Sequence, residues 1–324
     1  MKRIAITIGD PGGTGPEVSI KALSSMIPWD FTPLLIGDLC VMEEAAGMVT
    51  IPLRIKIIDD VGDAAQLSPG TLWCLDMKYL ASFKKSVSDG ENGAASVRYI
   101  KKAVDLAREK KVDAIITAPI SKVALKLGGF QWPGHTEMLA EFTGTEEYAM
   151  MLVGGPLRVI LVTIHTALRN VPDLITREGV LKTIRLARKA CTMLGLEKPV
   201  IAVAGLNPHG GESGVLGVEE EEVIMPAVRE ASAEGLNVLG PYPPDVVFHK
   251  AYRGEADIVV CMYHDQGLIP LKMIAFATGV NVTVGIPIIR TSPDHGTAYD
   301  IAWKGIADPS SMREAIKMAT KLRL

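Results

Sequence analysis

Short apolar runs alternate along the chain with longer stretches in which apolar residues recur every three or four positions. The runs Ile4–Ile8, Pro33–Gly37, Arg54–Ile58, Leu72–Leu75 and Val112–Thr117 predict strands. So do Met150–Val153, Val159–Ile164, Val200–Ala204, Ile258–Met262 and Val280–Val284. Several are apolar throughout, which suits strands covered on both faces. Helical periodicity is clearest from Asn92 to Lys111, where Val97, Ile100, Val104 and Ala107 share a face and Arg98, Lys101, Lys102, Asp105 and Glu109 lie off it. A second helix is predicted over Thr176–Leu194, with Val180, Ile184, Ala187 and Cys191 in register and Gly195 as its stop. A third begins near Gly217. There Glu219–Glu222 complement the helix dipole, and Ile224, Ala227, Val228 and Ala231 supply the buried face. Strand–helix alternation of this kind implies an α/β fold with a largely parallel sheet. At 324 residues, two lobes are the default, and Gly128–Gly134 is the best candidate for a crossing between them.

Composition narrows the class. A hydrophobic content of 48% with 22% charged residues is that of a soluble globular protein. A net charge of −3 gives no reason to expect nucleic acid or an acidic membrane as partner. No run approaches the ~18–20 apolar residues of a membrane span. The chain enters a strand pattern at Lys2 without signal-peptide features, so a cytoplasmic location is expected. Cys40, Cys74, Cys191 and Cys261 form no Cys-x-x-Cys pair and read as reduced thiols, with Cys74 and Cys261 inside apolar runs.

Three histidines stand at the ends of strand-like runs: His165 after Arg158–Ile164, His209 after Val200–Pro208, and His264 after Asp257–Tyr263. In open α/β sheets the carboxyl ends of strands line the ligand crevice. Three imidazoles delivered there form a candidate divalent-metal site with an open position for substrate. Imidazole suits zinc, cobalt, nickel or manganese, and spacings of 44 and 55 residues match no structural zinc knuckle. A lone strand-end histidine is ordinarily a satisfied surface group; here each has polar, glycine-marked company. His249 lacks such company and reads as structural.

Four further segments carry candidate chemistry. Gly9-Asp-Pro-Gly-Gly-Thr-Gly-Pro-Glu17 follows the first strand, and Gly12 and Gly13 would let backbone amides approach an anion or cofactor. A plain tight turn is the competing reading. In Pro133-Gly-His-Thr-Glu137, His135 and Thr136 are placed to donate to a substrate oxygen, unless Thr136 is a helix cap. Lys272, Asn281 and Arg290 supply two cations and an amide suited to phosphate, against the reading of a solvated surface trio. In Thr291–Asp300, a polar loop with His295 and Gly296 leads towards a helix and could meet a nucleotide or simply cap that helix.

The first of these loops, Pro133–Glu137, Gly205-Leu-Asn-Pro-His209 and Met262-Tyr-His-Asp-Gln-Gly-Leu268 resemble the 4-hydroxythreonine-4-phosphate dehydrogenase family. Gly279–Ser292 and Asp294-His-Gly-Thr-Ala298 do so too, and the resemblance runs nearly end to end. It implies a two-lobe α/β/α architecture like that of isocitrate and isopropylmalate dehydrogenases, with the active-site cleft between lobes. One lobe would span residues 1–122 plus 278–324 on the cofactor side; the other, residues 123–277, would carry metal, substrate and dimer contacts. His165, His209 and His264 match metal ligands, and His135, Thr136, Lys272, Asn281 and Arg290 match substrate contacts.

The implied reaction is NAD(P)+-dependent oxidation of the 3-hydroxyl of 4-phosphooxy-L-threonine, then decarboxylation, towards pyridoxal phosphate. It would use one divalent metal (zinc, cobalt, magnesium or manganese) in a homodimer whose active site is shared between subunits. Asp245 and Lys272 are the candidate general bases. Gly12 and Thr14 replace the family's alanine and isoleucine, and Thr117-Ala-Pro-Ile-Ser-Lys122 departs from its Thr-Gly-Pro form. A branch acting on 4-phospho-D-threonate or 4-phospho-D-erythronate is therefore an alternative. A phosphate acyltransferase of related architecture and a non-catalytic phosphometabolite binder are the more remote ones.

Overall fold

The computed structural model describes residues 1–49, 53–64 and 69–324. They form two compact units, Met1–Thr145 with Ile286–Leu322, and Glu146–Gly285. The first unit opens with β1 (Arg3–Thr7), α1 (Gly15–Ser25), β2 (Thr32–Gly37), α2 (Leu39–Ala46), β3 (Arg54–Ile57) and β4 (Thr71–Asp76). It continues with α3 (Gly90–Arg108), β5 (Ala114–Thr117), α4 (Lys122–Leu127) and α5 (His135–Thr143). The second unit contains β6 (Ala149–Gly154), β7 (Leu157–Leu161), α6 (Val171–Leu174), α7 (Arg177–Met193), β8 (Ile201–Ala204) and α8 (Met225–Ala233). It ends with β9 (Val238–Tyr242), α9 (Pro244–Tyr252), β10 (Ile258–Cys261), α10 (His264–Ala275) and β11 (Val280–Val284). The chain then returns to the first unit as β12 (Arg290–Pro293) and α11 (Ser310–Lys321).

The strands of the first unit lie in the order β3-β4-β2-β1-β5-β12, all parallel. Ile4, Ile6, Leu34, Leu35, Ile115 and Ile116 are fully buried, as strands covered on both faces require. In the second unit the order is β11-β6-β7-β10-β8-β9. β7, β10, β8 and β9 run parallel, while β6 pairs antiparallel with both β7 and β11. The α/β class and the mostly parallel pairing are as the sequence predicts.

Two expected helices form nearly as read. α7 is capped by Thr176, whose hydroxyl accepts from the Gly179 N–H at 3.0 Å. α3 starts two residues earlier than the periodicity suggests, because the Asp89 carboxylate accepts from the Glu91 and Asn92 N–H groups. The Gly128–Gly134 segment joins α4 to α5 inside the first unit, and the chain passes between units at residues 145–146 and 285–286. Helix contact explains the glycines near that segment: a Cβ on Gly93 would sit 2.2 Å from the Ala124 carbonyl oxygen, so α3 and α4 pack backbone to backbone. All four cysteines are free, and burial pushes the Cys74 and Cys191 thiols up to about 12. Among the described residues, no helix is long and apolar enough to cross a membrane.

Candidate functional site

In the second unit, β7, β10 and β8 are consecutive parallel neighbours, so their carboxyl ends share one edge. Adjacent strands lie about 4.8 Å apart, which brings whatever follows them into reach. Pairing continues beyond β7 and β10: Val162 N–H donates to the Cys261 carbonyl at 2.9 Å, and the Thr163 hydroxyl to that of Met262 at 2.7 Å. His165 lies two residues past Thr163 and His264 two past Met262. Their rings are accordingly side by side, with centroids 5.7 Å apart. They border a cavity of about 430 Å³ whose apolar wall includes Ile164, Leu168 and Val171. His264 opens α10, and its Nδ1 lies 2.7 Å from Asp265 Oδ1. A carboxylate there suits a proton on Nδ1, which leaves Nε2 as the ring nitrogen with a lone pair to offer a ligand.

His209 occupies the turn after β8, exposed and in left-handed backbone with φ of 55°. That conformation is uncommon for a residue with a Cβ and needs support from its surroundings. Glu220 supplies some of it. Its buried carboxylate accepts from the Leu206 N–H at 2.6 Å, the Asn207 N–H at 2.7 Å and the Asn207 side-chain amide at 2.9 Å. The acidic run thus opens a helical segment as expected, but Glu220 turns inward to brace the loop. Among the described residues, no three His, Cys, Asp or Glu side chains are gathered as a metal-ligand set. Two of the three predicted ligands adjoin, and the third is carried by the neighbouring strand end. Paired imidazoles with a carboxylate behind one of them nevertheless suit a divalent ion in donor chemistry.

Asp245 is exposed in the first turn of α9, which packs against the His209 turn. Lys272 is half-buried on α10, its Nζ 5.8 Å from the centroid of the Phe276 ring, and Asn281 lies on β11 opposite Leu152. Of the expected Lys272–Asn281–Arg290 trio, the first two belong to the second unit and Arg290 to the first. His249 is exposed in the last turn of α9.

The first unit builds a different environment. Arg290 starts β12 beside β5 and is only 1% exposed. Its Nε and Nη2 donate to the Thr117 hydroxyl at 3.1 and 2.6 Å. A surface cation this is not: burial pushes the guanidinium down to about 9. His135 opens α5, with a ring N–H on the Ala118 carbonyl and a buried Nε2 that has no partner among the described residues. Burial, then the adjacent Arg290 charge, holds this imidazole well below its usual range. Gly134 is the N-cap of α5 and offers no side-chain acceptor, so Thr136, buried in the first turn, is not the cap. The helix's first N–H groups, a buried guanidinium and a neutral imidazole together suit a phosphate.

The His135 environment has a pH consequence. A histidine held neutral in the fold but free to charge when unfolded makes unfolding bind a proton, so stability rises with pH up to about 6.5 and is lost as pH falls below it. Replacing His135 by Gln is expected to flatten that acid-side loss in denaturant melts between about pH 5 and 7. An unchanged pH slope would show that the ring charges freely in the fold.

The glycine loop after β1 is packed rather than open. Gly12 N–H donates to Asp10 Oδ1 at 2.8 Å, and Gly13 N–H to the Asp10 carbonyl at 3.0 Å. A Cβ on Gly12 would meet the Lys84 carbonyl oxygen at 2.5 Å. The amides expected to face a cofactor are thus used within the loop. The loop instead holds residues 294–303: Thr14 N–H donates to Thr297, Trp303 Nε1 to Pro11, and the Tyr299 hydroxyl to the Asp10 carboxylate at 2.7 Å. Burial, partly offset by these hydrogen bonds, raises the Asp10 carboxyl above the usual carboxylate range. Among the described residues, nothing lies within 4 Å of a Cβ built on Gly296 and the buried His295 Nε2 has no hydrogen-bond partner.

Residues 30–319 match the family described as pyridoxal phosphate biosynthetic protein PdxA. The chain is 48% identical to a 4-hydroxythreonine-4-phosphate dehydrogenase of Desulforapulum autotrophicum, over 98% of this chain and 94% of that one. It is 44% identical to a D-threonate 4-phosphate dehydrogenase of Pectobacterium atrosepticum, over 99% of each. A crystal structure of 4-hydroxythreonine-4-phosphate dehydrogenase from Klebsiella pneumoniae superposes with a TM-score of 0.90 at 41% identity, covering 99% of this chain and 97% of that one. Isocitrate dehydrogenase from Methylococcus capsulatus, with a TM-score of 0.50 at 13% identity over 99% of this chain and 85% of that one, shares the fold alone.

Proposed function

We propose, on the premise that this chain belongs to the PdxA family of pyridoxal phosphate biosynthetic proteins and is a dehydrogenase, that it oxidises the 3-hydroxyl of 4-phosphooxy-L-threonine. The product β-keto acid then loses carbon dioxide. The observation that carries this reading is the buried Arg290 beside the neutral His135 at the start of α5, an environment suited to a phosphate group. A second reading, oxidation of 4-phospho-D-threonate or 4-phospho-D-erythronate, is favoured by relatives named D-threonate 4-phosphate dehydrogenase at 44–46% identity.

His165, His209 and His264 would hold a divalent ion (zinc, cobalt, magnesium or manganese), which contributes Lewis-acid polarisation, and NAD(P)+ accepts the hydride. Arg290, Thr136 and the N–H groups of α5 hold the phosphate. Lys272 and Asn281 orient the remaining polar groups of the substrate. Asp245 or Lys272 takes the hydroxyl proton as hydride leaves the same carbon. His295 and Gly296 border the nucleotide. The assay that tests the reading compares the amino and hydroxy substrates side by side with metal-replete protein. NADH or NADPH should appear fastest with 4-phosphooxy-L-threonine; no turnover of any of the three substrates rejects the proposal.

A homodimer is part of this reading. Ile269 and Met273 on α10 and Phe276 at its C-cap form one apolar stripe and are 62%, 82% and 79% exposed. Such a stripe is a liability in water unless covered, and a second copy of the chain is its proposed cover. Combined Met273→Glu and Phe276→Glu is expected to turn a dimer into a monomer in light-scattering measurements. A variant that stays dimeric would place the interface elsewhere.

A further inference from the structure

We infer that Gln266 is a positioning residue that sets the His209 loop against His264, an inference that rests on the metal site proposed above. Gln266 lies in the first turn of α10, two residues after His264, and is buried. Its Oε1 accepts the Met262 N–H at 2.7 Å, and its Nε2 donates to the Gly205 carbonyl at 2.7 Å. Met262 is the residue after β10 and Gly205 the residue after β8. One side chain therefore ties together the ends of the two strands that deliver His264 and His209.

The residue type follows from the two bonds. One end must accept and the other must donate, which a carboxylate, a hydrocarbon or a cation of this length cannot do. The far side of the same loop is fixed by Glu220, at the Leu206 and Asn207 N–H groups. Gly205–Asn207 is thus held at three consecutive residues, and His209 follows two residues on. Holding the backbone in this way reduces the ordering that His209 must undergo to share an ion with its neighbours.

Zinc affinity of the metal-free protein, measured by competition with a chromophoric chelator, tests the assignment. Gln266→Met keeps length and volume but makes neither bond, and Gln266→Glu keeps the Met262 bond alone. Both are expected to weaken Zn²⁺ binding about tenfold or more, as loss of an outer-shell partner does. Ile184→Ala, a buried change on α7 outside the strand-end loops, should lower the melting temperature and leave Zn²⁺ affinity within about twofold. Wild-type affinity in a folded Gln266 variant, or an equal loss in Ile184→Ala, overturns the positioning role. Should Gln266→Met fail to fold, Gln266→Glu decides by the same criterion. His165→Ala and His264→Ala report separately on the metal site: if neither weakens Zn²⁺, the site itself is wrong, whatever Gln266 does.

Discussion

Replacing Arg290 by methionine is expected to raise the KM for the phosphorylated substrate roughly a hundred- to a thousand-fold, with kcat changed far less. The reason is burial. A guanidinium this enclosed would meet a phosphate with little competing water, so each bond would be charge-assisted in a low-dielectric setting. Stability should move the other way or not at all. Removing a buried cation relieves its desolvation, and methionine keeps much of the volume. Weaker substrate binding at an unchanged or higher melting temperature is the signature of a residue kept for a ligand. If folded Arg290→Met keeps the wild-type KM, or if an unphosphorylated analogue binds the wild type as well as the substrate does, the phosphate assignment falls.

Stripping the proposed divalent ion should have the second large effect. Dialysis against a strong chelator is expected to lower turnover by about a thousandfold or more, because Lewis-acid stabilisation of developing negative charge contributes several kcal/mol. Activity should return with added zinc, cobalt or manganese. His264→Ala should reproduce the loss and resist rescue, since its Nε2 is the nitrogen that Asp265 leaves available. Protein with less than about a tenth of an equivalent of metal and undiminished turnover would remove the ion from the reaction.

The sheets were legible where strands are apolar runs and opaque where chemistry interrupts them. β12 was missed because Arg290, Thr291 and Ser292 look like surface residues, although all three are buried. β9 was missed because Gly240 and Pro241 interrupt its apolar run; an edge position tolerates them. Helices with one apolar face, α3 and α7, could be read from periodicity. α5 and α10 begin with the polar motif residues themselves, so a motif hid each helix start. The approach of His165 to His264 was legible because apolar runs stop at both, whereas His209 is not gathered with them. The braces were not. Glu220 sits among acids that any helix start might carry, and nothing in a linear pattern tells which of four glutamates turns inward.

The second unit is one continuous stretch of chain, whereas the first is assembled from two pieces separated by it. During synthesis, residues 146–285 are complete while β5 still lacks β12, its partner at Arg290–Thr291. Until then β5 presents an unpaired edge on a nascent chain, the kind of surface that recruits neighbouring polypeptides on a polysome. Translation halted before about residue 290 should therefore yield insoluble fragments, and release of the later residues should restore solubility.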